Sequence, residues 1–214
     1  MSGYMTSPEI LTELTDRYPQ LEPISGDISA AVAMLNECWA SGGLLMTCGN
    51  GGSCADSGHI VGELMKCFKI SRPIDPGTAD TLSSTEEGKM IASRLEGALP
   101  AISLCAQAPV MTAFMNDSDP SLVFAQQVYG YGRPGDVLMT ISTSGNSKNC
   151  VAAAITAKAK KMSVIAMTGK NDSRLSEIAD ICIKAPETET FKIQELHLPI
   201  YHAICAMAEA DNFR

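Results

Sequence analysis

The sequence predicts an α/β fold: a three-layer sandwich with a five-stranded parallel sheet flanked by helices. Two observations predict it. Short apolar runs of strand length recur along the chain, separated by stretches with helical periodicity. Helices of that size between short strands imply right-handed βαβ units and a parallel sheet. The second observation is a pair of turns. Cys48-Gly49-Asn50-Gly51-Gly52-Ser53 and Ile141-Ser142-Thr143-Ser144-Gly145-Asn146-Ser147 each follow a strand-like run and precede a helix-like one. Glycine permits positive φ and close approach of a ligand to the backbone. A helix start offers unpaired N–H groups and the positive end of its dipole, so an anion fits there. Two such turns at the carboxyl ends of two strands imply one phosphate-bearing ligand held between them.

The elements follow in order. Ser7-Pro8-Glu9 places a cap, a proline and an acid at the start of a helix over 7–18, which Pro19 ends. Residues 21–24 read as a loop. A second helix spans about 27–41 and stops at Gly42-Gly43. The first strand, 44–48, leads through the first turn into a helix over 54–68. Two prolines and a glycine in 71–77 break regular structure. Residues 80–96 are polar and helix-capable, with Ser84 or Thr85 as cap, and read as a decoration of the sheet. The second strand is 100–105. Helices follow over 110–115 and 122–129, with a turn at Asn116-Asp117-Ser118-Asp119-Pro120 between them. The third strand, 137–141, ends in the second turn. Helix 148–161, strand 163–167, helix 173–179, strand 181–185 and a long helix over 190–210 complete the chain. Residues 1–214 read as one domain, with two leading helices over about 7–41.

Composition narrows the function. With 214 residues, 45% of them apolar, the chain has the length for a full core. A net charge of −8 argues against nucleic-acid binding by bulk charge. It leaves room for an anionic ligand at a helix end. No apolar run has the length of a membrane span, and the first twenty residues are polar and acidic, unlike a signal peptide. The eight cysteines include no C-x-x-C pair, which points to a reducing, cytoplasmic setting. Neither turn is a nucleotide motif. The first lacks the last glycine of G-x-G-x-x-G, and Gly169-Lys170 is followed by Asn171 rather than a hydroxyl residue, so no nucleotide cofactor is expected.

The side chains fit for chemistry are few. The three histidines are His59, His197 and His202. His59 and Glu63 share one helix face at i,i+4 spacing, just after the first turn. A carboxylate at a pocket edge can serve as general acid or base. Gln194 and His202, eight residues apart on the last helix, lie within about 80° of each other around its axis. The same spacing also describes the polar face of an amphipathic helix.

Taken together, Gly49-Asn50-Gly51-Gly52-Ser53, His59 with Glu63, Asn116-Asp117, the Ser142–Ser147 turn, Gln194-Glu195-Leu196-His197 and His202 resemble the sugar-isomerase (SIS) domain family. Within it they are most similar to phosphoheptose isomerases, which interconvert sedoheptulose 7-phosphate and D-glycero-D-manno-heptose 7-phosphate. The resemblance spans about 27–208. It implies a flavodoxin-like strand order and a homotetramer with sites between subunits. It implies that Ser142, Thr143, Ser144 and Ser147 grip the phosphate, and that Asn50, Gly51, Gly52 and Ser53 line the sugar. Asn116 and Asp117 would contact substrate hydroxyls. Glu63 and His202 match the family's acid/base pair. His59, Glu63, Gln194 and His202 match a zinc-binding set seen in some members.

Aldose–ketose isomerisation moves a proton between C1 and C2 through an enediol. One group removes a carbon-bound proton and another handles the oxygen, which suits a carboxylate and an imidazole. A zinc ion would add Lewis-acid polarisation of the carbonyl. The chain departs from the family in three places. Residues 74–99 form an insertion of roughly two dozen residues. Gly62 stands where a second acid is usual. Thr190-Phe191-Lys192 replaces a stretch that often carries an acid. Two non-catalytic readings compete: a sugar-phosphate sensor, and an adaptor for the bacterial replication initiator. The adaptor type lacks the equivalents of Glu63 and His202, so the residues favour the enzyme.

Overall fold

Five short apolar runs form the sheet in a computed structural model that describes residues 4–213. They are β1 (Leu45–Gly49), β2 (Ala101–Ser103), β3 (Val137–Ile141), β4 (Ser163–Thr168) and β5 (Ile181–Lys184). All pairings are parallel, in the order β2-β1-β3-β4-β5. Every residue of β1 and β3 is buried, as expected for a parallel sheet covered on both faces.

Alternation along the strands divides the core in two. Leu45, Val137, Met139, Ile141, Ile165 and Met167 face one layer. That layer is built from α1 (Ser7–Arg17), α2 (Ser25–Ala40), α3 (Gly52–Met65) and α10 (Thr190–Asn212). Met46, Cys48, Leu138, Val164 and Ala166 face the other. Its main helices are α7 (Val123–Tyr131), α8 (Lys148–Ala159) and α9 (Arg174–Ile178). The starts of β1 and β3 are tied by Asp136, whose carboxylate accepts from the Leu44 and Arg133 amides, both at 2.8 Å. Among the described residues, no helix is long and apolar enough to cross a membrane.

The structure departs from the sequence reading at four places. Residues 21–24, expected as loop, belong to a 3₁₀ turn over Pro19–Ile24, because two prolines hold φ near the helical value. Helix α3 stops at Met65, three residues early, and Lys66 is extended. Beyond it, the Cys67 amide donates to the Glu96 carboxylate and those of Phe68, Lys69 and Ile70 to the Glu209 carboxylate, instead of to helix carbonyls. Helix α4 (Pro76–Leu82) begins inside the stretch 71–77 expected to break regular structure, because Pro76 suits the first turn of a helix, and a second short helix, α5 (Glu86–Ala92), follows within 80–96. Thr85 caps the second by accepting from the Gly88 amide at 3.0 Å. Strand β2 is shorter than expected because Leu104–Ala106 curls into a 3₁₀ turn. Helix α6 (Ala108–Asp117) is correspondingly longer and takes in Asn116 and Asp117, expected in a turn.

Leu138 sits on the central strand with no exposure, under α8. Leu138→Ala should lower stability by about 2–5 kcal/mol, read from the urea unfolding midpoint.

Candidate active site

In this strand order the chain reverses direction across the sheet between β1 and β3. β1 continues outward to β2, and β3 continues the other way to β4 and β5. Open α/β sheets bind ligands outside the carboxyl ends of the strands at such a switch point. The two glycine-rich turns follow these two strands. They are joined by a reciprocal amide pair: Asn50 Nδ2 donates to Asn149 Oδ1 at 2.9 Å, and Asn149 Nδ2 donates to Asn50 Oδ1 at 2.8 Å.

The first turn depends on glycine. Gly51 has φ +56° and precedes the helix as its cap. A Cβ on Gly49 would lie 2.6 Å from the Ser53 carbonyl oxygen. Ser53, expected at the helix start, is buried within the first turn of α3. A buried hydroxyl chain then pins α3 to the sheet: Thr47 and Ser57 hydroxyls lie 2.9 Å apart, and those of Ser57 and Ser103 lie 2.8 Å apart.

The second turn is braced from behind. The Ser142 and Ser147 hydroxyls lie 2.9 Å apart, with Ser147 the residue just before α8. The Gly169 amide donates to the Thr143 carbonyl, and the Arg174 amide donates to Asn146 Oδ1, both at 3.0 Å. Ser144 is left exposed. Gly145 has φ +64°, and a Cβ there would meet Ser173 Oγ at 2.0 Å. First-turn N–H groups of α8 have no helix carbonyl to bond; that of Cys150 donates to Asn149 Oδ1 at 3.0 Å, and the others complete a donor-rich cradle with the serines.

Helices α3 and α10 lie side by side and run in the same direction. Gln194 packs on Gly52, Tyr201 and His202 on His59, and Glu209 on residues 68–70. This alignment brings Glu63 and His202 into one cluster around His59. His59 Nε2 bonds Glu63 Oε1 at 3.1 Å, and the His59 and His202 rings meet edge to face at 5.0 Å. Burial holds the His202 imidazole below its ordinary pKa, helped by His59 and opposed by Glu63. The neutral form of His202 is thereby favoured. Behind His59, the Tyr201 hydroxyl lies 2.9 Å from Nδ1 and donates to Asp56 Oδ1 at 3.2 Å. Burial raises the Asp56 carboxyl, against the Tyr201 hydrogen bond.

Other expected site residues stand apart. Asn116 and Asp117 are exposed at the end of α6 and bond each other at 2.8 Å; neither bonds to the turns or to the His59 cluster. The Gln194 amide lies against Gly52, where an added Cβ would sit 2.7 Å from Nε2. It is about 12 Å along α10 from His202. Both His59 ring nitrogens have partners within the chain. Among the described residues, no three His, Cys, Asp or Glu side chains form a group that could hold a metal. The expected zinc ligands do not assemble as a donor set in this arrangement.

Comparison with known proteins places this geometry. The SIS domain profile matches residues 11–102 and 91–169, and the chain belongs to that family. Within the family it is similar to phosphoheptose isomerases. That of Akkermansia muciniphila is 33% identical over 213 residues, covering 100% of this chain and 99% of the relative. That of Rhodospirillum rubrum is 33% identical over 95% of this chain and 92% of the relative. Among solved structures, phosphoheptose isomerase GmhA of Neisseria gonorrhoeae superposes with a TM-score of 0.74 at 29% identity, covering 93% of this chain and 94% of that one. A phosphoheptose isomerase from Francisella tularensis gives 0.73 at 28% identity, covering 95% and 98%.

Sequence reasoning missed Asn149, Tyr201 and Asp56. Asp56 stands three residues before His59 on the same helix, a spacing that could have flagged it. His197 is fully buried. Its Nε2–H donates to the Thr168 carbonyl at 3.1 Å, while Nδ1 has no partner among the described residues. Burial lowers its pKa from 6.5 to about 4. A histidine depressed in the folded state stabilises fully above the unfolded pKa and loses that contribution as pH falls. Stability should therefore decline by about 3 kcal/mol between pH 6.5 and about 4 from this group. Urea unfolding across that window should show the decline, and His197→Gln should flatten it.

Proposed function

We propose that the chain is an aldose–ketose isomerase acting on a sugar phosphate, with sedoheptulose 7-phosphate converted to D-glycero-D-manno-heptose 7-phosphate. The observation that carries the reading is the Glu63–His59–His202 cluster in a chain that also holds a phosphate-type cradle at its topological switch point. The names of the full-length relatives support the same chemistry.

In this reading Ser142, Thr143, Ser144, Ser147 and the first turn of α8 hold the phosphate. Asn50, Gly51, Gly52 and Ser53 line the sugar, with Asn116, Asp117 and Gln194 on its hydroxyls. The Glu63 carboxylate removes a proton from C1 of the ketose. The electrons of that C–H bond form the C1–C2 double bond as the carbonyl oxygen on C2 takes up a proton, giving the enediol. Neutral His202 exchanges protons with the two oxygens. The C1 hydroxyl then loses its proton as the carbonyl forms at C1, and Glu63 returns its proton to C2. Atoms balance without a co-reactant, and no step runs through a metal. His59 orients Glu63 by holding one carboxylate oxygen.

The enzyme acts as a homotetramer with shared sites. Glu63 is eleven residues beyond Gly52, about 16 Å along α3. An extended seven-carbon sugar phosphate spans on the order of 10 Å from C1 to phosphorus. One copy's cradle and another copy's Glu63–His202 cluster would therefore complete a site. A hollow of about 430 Å³ between α1 and α10, walled by His202, Phe68 and Leu198, leaves that cluster open to a second copy. The eight free thiols suit a reducing cytoplasm.

Two experiments test the reading. Glu63→Gln should lower kcat on sedoheptulose 7-phosphate by about 10²–10⁴-fold while calorimetry still detects binding; full turnover in that variant removes Glu63 from the mechanism. Glu63→Gln and Ser144→Asp chains, each inactive alone, should regain activity when mixed and allowed to exchange subunits. A mixture that stays inactive places each site within one chain.

A further inference from the structure

Among the described ion pairs, Arg72–Glu209 is the one sealed inside, with side chains 0% and 1% exposed. Arg72 Nε donates to Glu209 Oε1 at 2.7 Å. Its other two nitrogens cap the end of α3: Nη1 donates to the Leu64 carbonyl at 2.7 Å and Nη2 to the Glu63 carbonyl at 3.0 Å. The Glu209 carboxylate also accepts from the Phe68 and Lys69 amides at 2.8 Å and from Ile70 at 3.2 Å. The Phe213 ring covers the guanidinium, 5.0 Å from its centre. Neither side chain reaches the switch point.

What the pair touches decides its role. Arg72 grips the backbone of Glu63 itself. Glu209 stands seven residues after His202 on α10, two turns on and on the same face. One helix thus carries both His202 and the anchor for the segment that carries Glu63. A buried ion pair contributes little net stability compared with well-packed apolar residues, yet it tolerates little geometric freedom. A planar guanidinium with every nitrogen engaged fixes an orientation that a lysine ammonium cannot.

Resting on the isomerase reading above, we infer that the Arg72–Glu209 pair is the positioning device that holds Glu63 against His59 in register with His202. Both are positioning residues, since they act through the α3 backbone.

The test uses the full chain in its native assembly. Glu209→Gln keeps the shape but replaces one acceptor with an N–H₂ group facing backbone donors. Below its melting temperature, this variant should lose about 10–100-fold in kcat on sedoheptulose 7-phosphate with KM within about twofold. The cross-relaxation peak between the His59 and His202 ring protons, centroids 5.0 Å apart in the native chain, should weaken in labelled-histidine NMR spectra. Arg72→Lys, which keeps the charge with fewer donors, should show a smaller loss of the same kind, and it carries the test if Glu209→Gln does not fold. A lowered melting temperature with kcat and the cross-peak both unchanged overturns the proposal. A native enzyme that turns over no ketose phosphate, with a cross-peak that still weakens in Glu209→Gln, overturns the isomerase reading and leaves the positioning role standing.

Discussion

Helix α3 leaves the sheet through a turn that a residue with a β-carbon cannot make. Gly49 has no room for one, because the Ser53 carbonyl already occupies that space. Gly51 adopts a φ of +56° that side chains rarely tolerate. This steric constraint fixes where α3 begins and which way it points. The Thr47–Ser57–Ser103 hydroxyl chain then fixes its rotation on the sheet. With start, direction and rotation set, the outward positions of Asp56, His59 and Glu63 follow from helical geometry.

The second helix of the site is aligned to the first by contacts at three levels. Gln194 meets the beginning of α3, Tyr201 and His202 meet its middle, and Glu209 meets the segment just past its end. Parallel helices keep the same register along their length, so one sliding step would break all three contacts at once. The long α10 therefore needs no rigid local motif around His202. Pro199, inside α10, removes one backbone bond near that histidine. The contacts on either side of it, at Gln194 and Glu209, keep the helix in place.

Much of this was legible in the sequence. All five strands announced themselves as apolar runs, because a sheet buried on both faces leaves little room for polar residues. The two turns announced themselves by glycine and serine at strand ends. His59 and Glu63 were paired by local spacing. What depends on contacts between distant segments was not legible. Nothing in the sequence singled out Glu209, and Arg72 lay unremarked in the stretch 71–77 that two prolines and a glycine break. Only the fold brings them together, 137 residues apart. The early end of α3 was hidden for the same reason, since the competing acceptors for the amides that follow it, Glu96 and Glu209, lie far along the chain. Gln194 and His202 were read as lying on one side of the last helix from their angular spacing. The axial distance between them sets Gln194 beside Gly52 and His202 beside His59.

The charge balance explains how the cradle is built. The chain carries a net charge of −8, so its long-range field disfavours an anion. Residues 49–53 and 142–147 contain no charged side chain, and the donors they offer are hydroxyls, amides and backbone N–H groups. Lys148, at the start of α8, is the nearest cation in sequence. A neutral cradle acts only over hydrogen-bond distances, and its strength depends on donors held in place before the ligand arrives. That requirement accounts for the bracing of the second turn by Gly169, Ser173 and Arg174, and for the Asn50–Asn149 bridge between the turns. In the proposed phosphate site, rigidity would do the work that a basic patch does in a protein of the opposite charge.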